Sequence, residues 1–313
     1  MANYYDVFEG MKKAWENWRD SELLKWVAIE FAAGIGLLVV LGILLVAMIG
    51  VDNLMSMAGG SLRSNTPAMQ ALIGILLPFF GIAVLAFLVY GLVCFFFLTP
   101  RIMRAALAVN GAKVPAKLPS MVDWFMLHLR LFFINISCWY DKRLLMPAAV
   151  VLALAVMCAV IGFAAPAAFV GAAIFGALAL FCWMVGIIIH GIRTKFAAWM
   201  FLRGDGAEGK MPYTSYKLVH GQTLEVFLAY FIFGIVFGLL AAVVGIVRIL
   251  IRLVPCIGPV IDLVINLAFS FFTQGFNMAI TADIFLFFDK AGPAKPAPAS
   301  AGKGSGTPAK KKK

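Results

Sequence analysis

The stretch DLVINLAFSFFTQGFNMAITAD, residues 262–283, decides the fold class because it combines a membrane-spanning length with a polar side. About 20 predominantly apolar residues are enough for a helix to cross a bilayer, and this stretch reaches that length. The stretch therefore predicts a transmembrane helix whose polar groups either line a path for a polar solute or hold helices together. Those polar groups are Asp262, Asn266, Ser270, Thr273, Gln274, Asn277, Thr281 and Asp283.

The composition of the whole chain indicates the same class of protein. Of its 313 residues, 63% are hydrophobic and 13% are charged, and the mean hydropathy is +0.97. An average soluble domain carries about 25% charged residues. We therefore predict an all-α protein, a polytopic transmembrane helical bundle of about six spans with additional interfacial amphipathic helices.

Hydropathy divides the chain into three parts. Residues 1–23 predict an amphipathic helix at the cytoplasmic interface, because apolar side chains recur there every three or four positions. Residues 24–288 form the predicted membrane domain, with an interfacial helix near 119–138 that begins in a capping box at Ser120 and Asp123. Residues 289–313 are rich in Pro, Ala, Gly and Lys and predict a disordered basic tail. The predicted spans are 24–50, 71–99, 147–165, 167–190, 223–253 and 259–288.

The distribution of positive charge predicts the orientation in the membrane. The net charge is +11, and lysines and arginines collect before the first span, after the second and fourth spans, and in the tail. The other side carries only Arg63, Arg248 and Arg252. The positive-inside rule then places both termini in the cytoplasm and predicts anionic lipids as partners of the basic loops and the tail. No aromatic signature accompanies a basic groove, so we do not expect nucleic acid as a partner.

Motifs for catalysis and metal binding do not occur in the sequence. It has no nucleotide-binding loop, no HExxH, no GxSxG and no cluster of cysteine and histidine ligands. The five cysteines form no CxxC pair. We therefore expect no enzymatic activity, no cofactor and no metal.

The polar side of the last span is the sharpest candidate site. At about 100° per residue, its polar positions fall within an arc of about 100°. A face of this kind costs free energy against lipid, so we expect it to point into the bundle. There it would either bond to neighbouring helices or line a hydrated cavity. The residues of this polar stripe are Asp262, Asn266, Ser270, Thr273, Asn277 and Thr281, with Gln274 at the edge.

Small residues mark one side of the fifth span. Gly234, Gly238 and Gly245 recur at helical spacing, with two alanines between them. Small residues let a second helix backbone approach closely. We expect this face to pack against the sixth span or against another subunit.

Two charge clusters follow from the predicted topology. On the outer side, Arg248 and Arg252 end the fifth span and Asp262 opens the sixth, which predicts a local salt bridge or an anion-attracting mouth. On the cytoplasmic side, three acidic residues are expected at similar depths near Arg101, Arg104 and Arg193, where they would form an ion-pair layer. These acidic residues are Glu30, Glu225 and Asp283.

Short segments give the chain a family resemblance. YYDVFEGMKKAWENW before the first span, RIMRAALAVNG and LPSMVDWF between the second and third, and AITADIFLFF in the last carry it. In these the chain resembles prokaryotic six-span families of unknown function, related to the membrane domain found beside glycerophosphoryl diester phosphodiesterases. The resemblance implies a helical bundle in a prokaryotic inner membrane. No phosphodiesterase domain accompanies it, so it implies no catalysis.

Two functions remain open from the sequence. The leading interpretation is a non-catalytic accessory or scaffold bundle that binds lipid, itself or another membrane protein. The alternative is a permease or channel for a small solute or a lipid, which would use the polar stripe of the last span. A membrane enzyme is the weakest of the interpretations, because no nucleophile, base and metal converge.

Overall fold

The computed structural model describes residues 4–19, 21–50, 66–252, 254 and 257–291. All regular secondary structure in these ranges is helical, so the predicted all-α class is confirmed. The helices are α1 (Val7–Trp18), α2 (Ser21–Ile49), α3 (Thr66–Val93), α4 (Thr99–Val109), α5 (Met121–Ile136), α6 (Met146–Gly162), α7 (Ala168–Thr194), α8 (Ala197–Arg203), α9 (Met211–His220), α10 (Thr223–Arg252) and α11 (Gly258–Ala291). A π-helical turn, Cys94–Leu98, joins α3 to α4, and a 3-10 turn, Lys142–Leu145, precedes α6.

Six stretches of these helices are long and apolar enough to span a membrane, which makes the chain an integral, multi-pass membrane protein. They correspond in order to the six predicted spans. The second and fourth continue beyond the predicted ends, through the π-helical turn into α4 and through α7 into α8. The six stretches are Glu22–Ile49, Leu76–Val109, Lys142–Gly162, Ala168–Arg203, Thr223–Arg252 and Ile261–Ala291.

The buried core lies at one end of the bundle, which we call the basic end. It is built from the first turns of α2, from α4, α5, α8 and α9, and from the second half of α11. Trp124, Phe196 and Phe285 are among its largest fully buried side chains. Away from this end the spans separate and leave most of their apolar side chains exposed, as expected for surfaces that meet lipid tails.

Helix α1 is docked on α11. The Asp6 side chain accepts hydrogen bonds from the backbone N–H groups of Phe8 and Glu9 and so caps the helix start. The buried side of α1 is Val7, Gly10 and Ala14, whereas Phe8 stays exposed. The predicted amphipathic helix therefore forms, with its small residues and the half-buried Trp18 against the protein, while Phe8 and Trp15 remain exposed.

Helix α5 is the predicted interfacial helix near 119–138. The N-cap half of its capping box forms, because the Ser120 side chain accepts the Asp123 backbone N–H at 3.1 Å. The Asp123 carboxylate accepts from the Ser120 hydroxyl at 2.7 Å and not from the Ser120 backbone N–H. Helix α11 continues to Ala291, past the predicted start of the disordered tail at 289. The rest of that tail lies outside the described residues.

Candidate functional site: the open face of α10 and α11

Helices α10 and α11 form an antiparallel pair, and their ring contacts fix the register. Phe233 packs against Phe276 with ring centroids 6.2 Å apart, and Phe237 packs against Phe269 at 6.1 Å. Away from the basic end, Arg248 reaches Asp262. Each residue of α10 therefore has a neighbour on α11 at the same depth in the membrane.

The outer end of the pair carries a salt bridge of three side chains. The Asp262 carboxylate is buried, with Oδ1 2.6 Å from Arg248 Nε and Oδ2 2.6 Å from Arg252 Nη2. Of the two arrangements predicted for this cluster, the salt bridge is the one observed. The shared carboxylate closes the hairpin and leaves one net positive charge at this end.

The middle of the polar stripe does not point into the bundle. Ser270 and Asn277 are exposed, and Asn266 is half-buried. The prediction that the whole stripe faces the interior is therefore wrong for its centre. The physical reason is the spread of the spans, since none of the other described helices covers this side of α11 away from the basic end.

The two threonines of the stripe behave differently from its centre. The Thr273 hydroxyl bonds to its own helix, to the carbonyl oxygens of Phe269 at 2.9 Å and Ser270 at 2.8 Å. Thr281 is half-buried beside the buried hydroxyl of Tyr230 on α10. Thr273 is therefore satisfied within its own helix and Thr281 is partly buried against α10, whereas Ser270 and Asn277 are the exposed part of the stripe.

The glycines of α10 do not contact α11. A Cβ atom built on Gly234, Gly238 or Gly245 meets nothing within 4 Å. The prediction that they pack against the sixth span is therefore wrong, because phenylalanines hold the two helices apart. The other contact predicted for these glycines, with another subunit, remains a prediction.

The open glycines and the open polar residues lie on the same side of the helix pair. Gly234 and Gly238 each follow a phenylalanine that contacts α11, and Asn277 follows Phe276, so each is turned about 100° away from the contact. Because α10 and α11 are both right-handed and run in opposite directions, the residue that follows a contact residue on either helix lies on the same side of the pair. Gly234 thus lies beside Asn277, and Gly238 beside Ser270. We call these four residues, with Gly245 and Asn266, the open face.

A second polar group lies on another side of α11. Gln274 and Cys94 come within hydrogen-bonding reach of the Glu30 carboxylate on α2. The Tyr90 hydroxyl donates to the Glu30 carbonyl oxygen at 3.0 Å, in the space left by Gly34. The side chains of Glu30, Tyr90 and Gln274 border a cleft of about 240 Å³ between α2, α3 and α11. The sequence placed Gln274 only at the edge of the stripe and did not indicate Tyr90.

The predicted cytoplasmic ion-pair layer does not form. In the described part of the chain, Glu30, Glu225 and Asp283 make no salt bridge with Arg101, Arg104 or Arg193. Asp283 is paired with Lys13 of α1 instead, and the Tyr5 hydroxyl donates to it at 3.0 Å. Burial and the neighbouring Asp283 carboxylate raise the pKa of Tyr5 far above its ordinary value, so Tyr5 remains a proton donor.

A further polar cluster was missed by the sequence and ties α7 to α5. Asn135 Oδ1 accepts from the Thr194 hydroxyl at 2.8 Å and lies 3.0 Å from Nδ1 of the buried His190. Arg193 pairs with Asp141 at 2.6 Å. The partners are far apart in the chain, so no local spacing could have predicted them. Their groups satisfy one another, which gives this cluster a structural role.

The described ranges contain no group of three or more histidine, cysteine, aspartate or glutamate side chains that could hold a metal ion. The open face is the candidate site because it presents exposed polar side chains, Ser270 and Asn277, within a span. Comparisons with protein-family models, with curated proteins and with solved structures found no match to this chain, so its resemblance to the six-span families stays a prediction.

Proposed function

We propose that the protein is a non-catalytic membrane scaffold that assembles with a second copy of itself through the open face. The observation that carries this proposal is the pairing of uncovered polar residues with uncovered glycines at equal depths. At 1.5 Å per residue, Asn277 lies about 9 Å along α11 from Asp283 at the basic end and about 22 Å from Asp262 at the outer end. An amide at that depth is costly against lipid, and a second helix with hydrogen-bonding groups removes this cost.

A second copy is the partner with groups at the matching depths. Two copies inserted in the same direction are related by a twofold axis along the membrane normal, and such an interface brings the same patch of both subunits together. An axis in front of the open face sets α10 of each copy against α11 of the other, so Gly234 of one copy faces Asn277 of the other, and Gly238 faces Ser270. The glycines allow the close backbone approach that interhelical hydrogen bonds within a membrane require.

We also propose that the basic end faces the cytoplasm of a prokaryotic inner membrane. Support comes from the arginines and lysines of α1, α4, α5 and α8, which share that end with Asp283 and the last turns of α11. The positive-inside rule assigns such an end to the cytoplasm, where the basic loops meet anionic lipids.

Disulfide cross-linking tests the assembly. A Gly238→Cys copy and a Ser270→Cys copy, each with the five native cysteines replaced by serine or alanine, should form a covalent dimer with one another in membranes on mild oxidation. Leu239→Cys in place of Gly238→Cys is the matched control, because Leu239 is also exposed but turned about 100° further round α10. Equal cross-linking at both positions, or none at Gly238, would contradict the proposal.

A permease is the second candidate, favoured by the cleft at Glu30. A carboxylate and an amide between three spans could bind a small polar solute. In this case Gln274→Leu would abolish glycerol permeation, measured by stopped-flow swelling of reconstituted vesicles, and leave cross-linking at Gly238→Cys unchanged. Permeation no faster than through protein-free vesicles would remove this candidate for glycerol-sized solutes.

A further inference from the structure

A cleft with two arginines lies at the basic end where the first and second spans meet the membrane surface. It has a volume of about 300 Å³ and lies between the first turns of α2 and the helix α4. Trp26 and Glu22 line it from α2, and Arg101 and Arg104 line it from α4. The span of α2 begins at Glu22 and that of α3–α4 ends at Val109, so the cleft lies at headgroup level.

The π-helical turn before α4 helps to place the arginines. A π turn holds an additional residue and rotates the helix that follows it. On α4 the buried side is then Ile102, Ala106 and other apolar residues, while Arg101 and Arg104 stay half-buried, one turn apart on the cleft side. The two guanidinium groups therefore approach the same space.

Both arginines are held by contacts that leave donors unused. Arg101 Nη1 donates to the Phe97 carbonyl oxygen at 3.0 Å, and its Cζ lies 5.0 Å from the centre of the Trp26 ring. Arg104 Nη1 donates to the Ala116 carbonyl oxygen at 2.8 Å, which fixes the loop beyond the cleft. Neither forms a salt bridge with the described residues. A guanidinium has five N–H donors, so several remain for a ligand.

The rest of the lining suits the glycerol and first methylene groups of a lipid. Val114 and Leu118 provide an apolar wall, and the Trp26 ring provides another. Tryptophan is enriched at the membrane–water interface because its ring is apolar and its N–H is polar. The cleft thus combines two guanidinium groups with apolar walls at the depth of the lipid phosphate groups.

We infer that this cleft binds the phosphodiester group of an anionic phospholipid, with Arg101 and Arg104 as its hydrogen-bond donors. Arginine suits a phosphate group because its fork of donors matches two phosphate oxygens. Glu22 at the mouth lowers the net positive charge, so the site favours a single phosphate over a more highly charged headgroup. Basic pockets between transmembrane helices bind lipid headgroups in this manner.

Native mass spectrometry tests the site on the purified full-length chain in a neutral detergent. Titration with dioleoyl phosphatidylglycerol should show one tightly bound lipid, and dioleoyl phosphatidylcholine should bind more weakly. The variant Arg101→Gln/Arg104→Gln should bind phosphatidylglycerol at least about tenfold more weakly, since hydrogen bonds to charged groups are lost. Lys142→Gln/Arg143→Gln removes two exposed positive charges elsewhere at the membrane surface and should bind normally.

Three results would overturn the inference. Equal losses in both double variants would assign the effect to general charge, and unchanged binding in Arg101→Gln/Arg104→Gln would exclude the cleft. Displacement of phosphatidylglycerol by millimolar inorganic phosphate would assign the arginines to a soluble phosphate in place of a lipid. The single variant Arg101→Gln controls for misfolding, because the hydrogen bond of Arg101 reaches only the Phe97 carbonyl oxygen four residues earlier in the chain. This variant should bind phosphatidylglycerol more weakly with unchanged helicity.

Discussion

The open face predicts opposite effects of one set of substitutions on the monomer and on the assembly. The variant Gly234→Ala/Gly238→Ala/Gly245→Ala adds three methyl groups where nothing lies within 4 Å. It creates no clash inside one chain, and each alanine favours the helix by about 0.4–1 kcal/mol. The monomer should therefore gain about 1–3 kcal/mol in its free energy of unfolding.

The same methyl groups should weaken the assembly. At a twofold contact they add six methyl groups between closely packed helices, and overpacking costs about 1–3 kcal/mol. Association in vesicles should fall by about five- to 150-fold, measured by energy transfer between labelled copies at increasing lipid dilution. Unfolding of the monomer is measured in mixed detergent micelles at a concentration where copies do not associate.

Gly275→Ala is the control for a filled glycine site. Its Cβ would lie 1.9 Å from the Trp18 ring of α1, so this substitution should destabilise the monomer. If the triple variant destabilised the monomer in the same way, the open face would be filled within one chain. If it stabilised the monomer but left association unchanged, the glycines would play no part in assembly. Either result would refute the reasoning.

Two further predictions concern the basic end. Asn135→Ala removes the acceptor of the His190 Nδ1–H and should destabilise the protein by about 1–3 kcal/mol in detergent unfolding, because the buried imidazole loses its partner. The Thr194 hydroxyl keeps the His190 carbonyl oxygen at 3.2 Å, and a change below about 0.5 kcal/mol would contradict this prediction. Burial lowers the pKa of His128 on α5, so the folded state resists protonation of this imidazole. The free energy of unfolding is therefore unaffected by His128 above the unfolded pKa of about 6.5 and decreases as the pH falls below that value. The melting temperature of His128→Gln should therefore fall less between pH 7 and pH 5 than that of the original chain. An identical fall in both proteins would contradict this prediction.

Local periodicity and hydropathy predicted what depends on neighbours in the chain. The six spans, the amphipathic character of α1 and the N-cap at Ser120 follow from residue types at short separations, and the structure has each of them. Neither signal indicates which helix lies beside which. The side of α1 that is buried therefore could not be predicted, because the burial of Val7, Gly10 and Ala14 depends on the shape of the α11 surface against which they pack.

The polar stripe shows the same limit at the candidate site. Its arc on α11 was predictable from helix geometry, but its exposure depends on where five other spans lie. Thr281 is half-buried because Tyr230 of α10 lies beside it. Asn277 is exposed because the contact between Phe233 and Phe276 turns the Asn277 side chain away from α10. The salt bridge of Asp141 with Arg193 was not predicted for a related reason, because its residues lie 52 positions apart, one before α6 and the other near the end of α7.

Subunit counting in a bilayer tests the central claim most directly. Single-molecule photobleaching of labelled protein in dilute vesicles should give two steps for the original chain and one step for Ser270→Leu/Asn277→Leu, with helicity unchanged. Thr273→Val is the matched control and should remain a dimer, because the Thr273 hydroxyl bonds only within its own helix. A monomeric original chain, or a Ser270→Leu/Asn277→Leu variant that still gives two steps, would contradict assembly through the open face.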